Sequence, residues 1–219
     1  MTKCALIIFT RNPELGKCKT RLAKVVGDKS ALKIYKYLLQ HTANISKDVD
    51  ADRFVFYSES IQDNDIWDDS FFNKKLQYGN DLGERMQNAF QQLFDSNYKN
   101  VIIIGSDLLD LNSAIINKTF SLINEYDAVI GPAKDGGYYL LGLKAANPKL
   151  FKNKVWGTET VRRDTLNDLK NSTVFTLDEL NDIDKNDCTN IRSIYDNFTL
   201  DDCIMIKNIE KNKFNELES

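Results

Sequence analysis

Five basic residues stand within RNPELGKCKTRLAK: Arg11, Lys17, Lys19, Arg21 and Lys24, with Glu14 as their only acidic neighbour. The whole chain carries a formal charge of -3, so this concentration is local. Cations beside a flexible Gly16 suit the capture of phosphate oxygens. The letters GKCKT suggest a Walker loop, but Arg11 holds the position five before Gly16 where that loop needs glycine. Cys18 follows Lys17 where it needs Ser or Thr. A nest of side-chain cations is the reading that survives, against a plain solvated turn.

A second group is VIIIGSDLLD, in which four aliphatic residues deliver Ser106 and Asp107 to the end of a predicted strand. A carboxylate there is a ligand for a hard cation such as Mg²⁺ or Mn²⁺, which also takes phosphate oxygens. The competing role is that Ser106 or Asp107 caps a turn, with Asp110 helping to start the next helix. In GPAKDGGYYLLGL, Gly136 and Gly137 permit either a tight hairpin turn or close approach of a ligand. In LNDIDKND, Asp182 and Asp184 lie two apart and suit one shared cation or a solvated acidic loop.

Other chemistries are excluded by counting. The cysteines Cys4, Cys18, Cys188 and Cys203 are scattered, and His41 is the only histidine. Most zinc sites and a disulfide framework are therefore ruled out. Lys17 and Lys19 flank Cys18 and would lower its pKa if the thiol were exposed. His41 falls in a helical pattern with Ile34, Leu38 and Ile45 and is expected to be structural.

These groups need a scaffold that brings strand ends together. CALIIFT (4–10) reads as a strand buried on both faces, followed by a helix over DKSALKIYKYLLQHTANIS with Asp28 or Ser30 as its cap. Further strands are expected at RFVFYS (53–58), KLQYG, NVIIIGSD, DAVIGPA, GGYYLLGL and TVFTL. Helices are expected behind an Asp81 cap, from about Asn112 to Glu125, near 161–171 and near 187–197; Trp67, Phe71 and Phe72 are expected to anchor a polar segment. The alternation predicts an α/β fold, a Rossmann-type, mostly parallel sheet flanked by helices, forming a single domain over 1–219. Ligands in such sheets bind beyond the carboxyl ends of the strands. Mixed charge and the absence of a long apolar run predict a cytoplasmic protein without nucleic-acid or membrane partners.

The segments RNPELGKCKTRL, QYGNDLGERM, IIIGSDLLDL, GPAKDGGYYLLGL and VWGTETV, in this order, resemble a bacterial family of nucleotide-diphospho-sugar transferase fold. Its members are labelled radical-SAM/selenodomain-associated, or arsenosugar-biosynthesis, transferases, and it is distantly similar to the guanylyltransferases of molybdopterin and coenzyme F420 synthesis. The resemblance implies a GT-A-like fold with a nucleotide held over its N-terminal half. It places Lys17, Lys19, Thr20 and Arg21 in a phosphate-binding loop. Asp107 falls on the metal-ligating aspartate, with Asp184, or else Asp182, as the second ligand to Mg²⁺ or Mn²⁺. Gln77, Gly79 and the start of the DLGERM helix lie where base or ribose is held, and Asp135, Gly136, Gly137 and Tyr138 on the acceptor side. Arg11 and Ser106 complete the nucleotide-binding set, and Asp107, Lys19 and Arg21 carry the catalytic charge stabilisation. The chain departs from the family pattern in three places: Leu109, the run Lys185–Cys188, and Arg162.

The expected function is metal-dependent glycosyl transfer from an NDP-sugar to a small acceptor. The alternative is nucleotidylyl transfer from an NTP with release of pyrophosphate, which the number of early cations favours. A non-catalytic nucleotide-binding module is the third reading.

Overall fold

The structure is a computed structural model and describes residues 3–180. In chain order its elements are β1 (Cys4–Thr10), α1 (Thr20–Val26), α2 (Asp28–Lys47), β2 (Asp52–Tyr57), β3 (Phe72–Leu76), α3 (Leu82–Asp95) and β4 (Asn100–Gly105). They continue with α4 (Ser113–Ile123), β5 (Ala128–Pro132), β6 (Tyr138–Leu143), a 3-10 turn at Pro148–Phe151, α5 (Val161–Asp168) and β7 (Val174–Thr176). The chain divides into two compact units: Met1–Asn12 with Leu39–Asp182 makes up one, and the other takes in Pro13–Leu38.

The first unit holds a seven-stranded sheet in the order β3-β2-β1-β4-β6-β5-β7. β1 pairs in parallel with β2 and β4, and β2 with β3. β6 runs antiparallel to both its neighbours, so the sheet is mixed. The central strands are apolar on both faces because both faces are covered: Ala5 to Ile8 and Val101 to Ile104 are all buried. Met86, Ala89, Phe90 and Leu93, spaced along one side of α3, close over Ile7, Phe56 and Ile103. Burying each of the larger side chains is worth roughly 1.5–3 kcal/mol.

Several boundaries differ from expectation for local reasons. The strand expected at KLQYG ends at Leu76, because its partner β2 runs out at Tyr57, the residue opposite. Helix α2 begins at Asp28 itself, so neither Asp28 nor Ser30 precedes it as a cap. Gly27, at φ 81, ends α1 and offers its carbonyl to Ala31 N–H at 3.0 Å. α1 is a short helix that the apolar periodicity does not announce. Asn112, not Asp110, starts α4 by accepting Ile115 N–H at 3.0 Å. Trp67 and Phe72 anchor their segment, edge to face at 5.2 Å, whereas Phe71 stays 43% exposed under the ammonium of Lys47. The helix expected near 187–197 lies outside the described residues.

Candidate functional site

In the first unit, β1, β2, β3 and β4 end side by side, with Tyr57 opposite both Thr10 and Leu76, and Phe9 opposite Gly105. Side chains lace this edge. Gln77 directs its amide group at Phe56 O (2.8 Å) and Thr10 O (3.3 Å) while its backbone N–H reaches Tyr57 O (2.9 Å). Ser106 donates to the Thr10 hydroxyl at 3.2 Å. Asn12 donates to Ser60 O at 2.7 Å and accepts from the N–H groups of Glu59 and Ser60, fixing the chain that leaves β2. Two expected ligands, Gln77 and Ser106, thus brace the strand ends. Arg11, the next expected ligand, is exposed.

Asp107 lies two residues beyond β4, partly exposed between buried Ser106 and buried Leu108. A Cβ on Gly105 would sit 3.2 Å from its Oδ1, so glycine leaves the carboxylate room. Buried Leu108 and Leu111 hold the loop down, and His41 Nε2 bonds Leu111 O at 2.9 Å. A carbonyl can only accept, so Nε2 carries the proton and His41 is structural, as its helical setting predicts. Among the described residues no three His, Cys, Asp or Glu side chains gather around a common point. One carboxylate at a strand end suits a hard cation that draws its other ligands from phosphates and water. Asp182 and Asp184 lie outside the described residues.

The loop between β3 and α3 is held at each residue. Asp81 caps the helix by accepting Glu84 N–H at 2.8 Å, and Glu84 accepts Asn80 N–H at 2.8 Å, a variant of the capping box. Arg85 Nε donates to Gly79 O at 3.1 Å and Asn88 to Tyr78 O at 2.9 Å. Gly79 adopts φ 138, and a Cβ there would meet Arg85 N at 2.8 Å. Tyr78 and Leu82 stay exposed on this braced backbone, at 55% and 43%. Sequence reading singled out Gln77, Gly79 and the start of the DLGERM helix but missed Tyr78 and Asn88. The Asp-x-x-Glu spacing of Asp81 and Glu84 is the signal that points to a fixed loop.

The β5–β6 turn closes through Ala133 N–H to Gly137 O and Gly136 N–H to Ala133 O, each 3.1 Å, while Asp135 accepts Gly137 N–H at 2.9 Å. The close approach at Gly136 is made by the protein itself, from the backbone of Glu159. Asp135 is exposed, but the Tyr138 hydroxyl is buried, and desolvation pushes its pKa well above the ordinary phenol range. Arg162, a departure from the family pattern, pairs with Glu179 at 2.8 Å.

In the second unit, Glu14 accepts Lys17 Nζ at 2.7 Å and its carbonyl takes Lys17 N–H at 3.2 Å, around Gly16 at φ 75. Lys19 opens α1 in the left-handed region (φ 45, ψ 48), and its carbonyl receives Ala23 N–H at 2.8 Å. Lys17, Thr20 and Arg21 are exposed and Lys19 half-buried. Cys18 is only 3% exposed, so the flanking lysines do not make it a solvent-facing thiol; it packs as a small apolar side chain.

Residues 41–158, more than half of the chain, match the DUF2064 family, described as uncharacterised proteins conserved in bacteria. The chain belongs to this family. The DUF2064 chain is also 29% identical over 147 residues to the 2-phospho-L-lactate guanylyltransferase of Methanocaldococcus vulcanius. That match takes in 65% of this chain and 62% of the guanylyltransferase, so it spans less than two thirds of that relative's length. A crystal structure from Desulfovibrio desulfuricans G20, assigned as a nucleotide-diphospho-sugar transferase, superposes with a TM-score of 0.83 at 29% identity, over 95% of this chain and 99% of that one. A cytidylyltransferase from Leptospira borgpetersenii shares the fold at a TM-score of 0.58 and 15% identity, over 97% and 96% of the two chains. The fold is that of the nucleotide-diphospho-sugar transferases, GT-A-like, as the family resemblance implies, on the α/β architecture that the strand–helix alternation predicts. No helix among the described residues is long and apolar enough to cross a membrane.

Proposed function

We propose that this DUF2064 protein is a transferase that holds a nucleotide-activated donor by its phosphates and passes a group to a small acceptor. The observation that carries the reading is the near full-length correspondence with the Desulfovibrio protein at 29% identity. Asp107 is assigned to the divalent cation, with Asp182 or Asp184 as further ligand, and the set suits Mg²⁺ or Mn²⁺. Such a cation, when bound, neutralises charge on the phosphates of the leaving group. Lys17, Lys19, Thr20 and Arg21 are assigned to phosphate oxygens on their chemistry and on their place in the chain after β1, and Arg11 joins them as an exposed cation. Lys19 and Arg21 stabilise the charge that accumulates on the departing phosphate. Gln77 and Ser106 act by holding the strand ends, so that Gly79 and Tyr78 present a rigid edge to ribose or base. Asp135 is assigned to the acceptor side, with Gly136, Gly137 and Tyr138 shaping its turn.

The first reading of the transferred group is glycosyl, from an NDP-sugar, the chemistry that goes with the radical-SAM/selenodomain-associated label. The likeness to the Methanocaldococcus guanylyltransferase favours a second, nucleotidylyl transfer, in which the acceptor attacks the α-phosphate of an NTP and pyrophosphate leaves. Incubation with NTPs or NDP-sugars, Mg²⁺ or Mn²⁺ and a panel of hydroxyl and phosphate acceptors decides between them. Release of nucleoside diphosphate supports glycosyl transfer; pyrophosphate appearing in step with product replaces it by nucleotidylyl transfer. Metal-dependent nucleotide binding without turnover on any acceptor would instead leave a binding module.

A further inference from the structure

We propose that the cleft between the 3-10 turn at Pro148–Phe151 and α5 binds a small phosphate monoester. The cleft measures about 450 Å³ and is lined by polar side chains, chiefly Lys149, Lys152, Lys154, Asp164, Asn167 and Asp168. None of these belongs to the carboxyl-edge set.

The walls are preformed. Leu150 and Phe151 are buried, Phe151 lying 5.6 Å from Phe90 of α3, and this roots the turn in the core. On α5, Val161 and Thr165 are buried, which leaves Asp164, Asn167 and Asp168, at i, i+3 and i+4, on the cleft side. Asn153 takes a left-handed conformation, φ 56, that reverses the chain between Lys152 and Lys154.

The charges do not balance. Asp168 is taken by the ammonium of Lys154, and Asp164 by Arg163 Nε at 3.3 Å. Among the described residues neither Lys149 nor Lys152 has a carboxylate within ion-pair reach. The Lys154 side chain is only 2% exposed, and Asp168 is its single acceptor among the described residues. That pair is a fixed wall of the cleft, and the charge offered to a ligand comes from the exposed Lys149 and Lys152. A phosphate dianion in the cleft supplies oxygens and charge to the exposed ammonium groups of Lys149 and Lys152. Asn167 and Asp164 beside it suit hydroxyl groups on the esterified alcohol.

The test is a titration of the ¹⁵N-labelled full chain, followed by backbone amide NMR, with glycerol 3-phosphate, inorganic phosphate and glycerol. Glycerol 3-phosphate at millimolar concentration is expected to move the amides of Lys149 to Lys154 and of Asn167, more tightly than inorganic phosphate, while glycerol moves none of them. The double substitution Lys149→Ala, Lys152→Ala, at two exposed positions, is expected to weaken this response at least about tenfold, or 1.4 kcal/mol, with the rest of the spectrum unchanged. Absence of shifts at these amides overturns the proposal, as does full affinity in the double variant. Inorganic phosphate binding as tightly as the ester removes the ester assignment.

Discussion

The backbones of Gly136 and Glu159 lie in direct contact: a Cβ on Gly136 would sit 2.3 Å from the Glu159 carbonyl oxygen. Arg162 N–H donates to Gly136 O at 3.0 Å, so the β5–β6 turn and the start of α5 are joined through backbone alone. Gly136→Ala places a methyl group against main chain that has nowhere to go, at a φ of 87 that L-residues avoid. We expect a loss of about 3 kcal/mol or more. At Gly137 the nearest atom would be Oδ1 of the flexible Asp135 side chain, at 3.1 Å, and Gly137→Ala is expected to cost under about 1 kcal/mol. Urea denaturation of the two variants checks the contrast; equal costs would mean that the Glu159 backbone yields.

Gln77→Leu removes both donors that serve Phe56 O and Thr10 O. Thr10 O keeps the Ser58 N–H at 3.0 Å, so the substitution removes hydrogen bonds without stranding that carbonyl; at about 0.5–1.5 kcal/mol for each lost bond, a loss of roughly 1–3 kcal/mol of unfolding free energy is expected. If Gln77 bound only ligand, stability would not change.

Lys19 separates fold from function. Its left-handed backbone costs an L-residue about 1–2 kcal/mol, and glycine there removes that strain while giving up about 0.5–1 kcal/mol of chain entropy. Lys19→Gly is therefore expected to melt at or slightly above the parent temperature, yet to bind nucleotide more weakly; Arg21→Ala, at an exposed position, should weaken binding with little effect on melting. Thermal shift with and without nucleotide reads both quantities at once. Unchanged nucleotide affinity in both variants would remove the cationic loop from the site.

Asp107→Asn keeps the size of the side chain and discards its charge. The Mg²⁺-dependent part of any nucleotide-induced thermal shift is expected to vanish, with far-UV circular dichroism unchanged. A shift that keeps its full dependence on Mg²⁺ would move the metal to other residues.

One acid-range prediction rests on Asp127. Lys144 at 2.8 Å, then the backbone N–H and hydroxyl of Thr173, hold its carboxyl at about 2, below the ordinary 3.8. A depressed acid stabilises the fold when ionised, so the contribution is complete above 3.8 and disappears as pH falls toward 2. Asp127→Asn should lower stability by a constant amount at neutral pH, and the gap from the parent protein should close across that window. Urea midpoints measured at a series of pH values follow it.

Most of the scaffold is legible in the chain because its signals are local. Unbroken apolar runs such as VIII after Asn100, the spacing of Met86, Phe90 and Leu93 behind Asp81, and the KDGG turn each announce an element without reference to any other. The boundaries that moved depend on partners: β3 stops where β2 stops, and α2 starts where Gly27 turns the chain. The same division runs through the candidate site. Residue type alone marked the cations of 11–24 and Asp107, because charge and strand-end position are written in the letters. Only the tertiary structure decided that Gln77 spends its amide on two carbonyls of neighbouring strands and that Cys18 is buried despite two lysines beside it. It also decided that Tyr78 is exposed on a braced loop and that the Lys154 side chain is covered and held by Asp168. Those outcomes rest on hydrogen-bond partners and packing supplied by residues distant in the chain, and no spacing along the sequence records who those partners are.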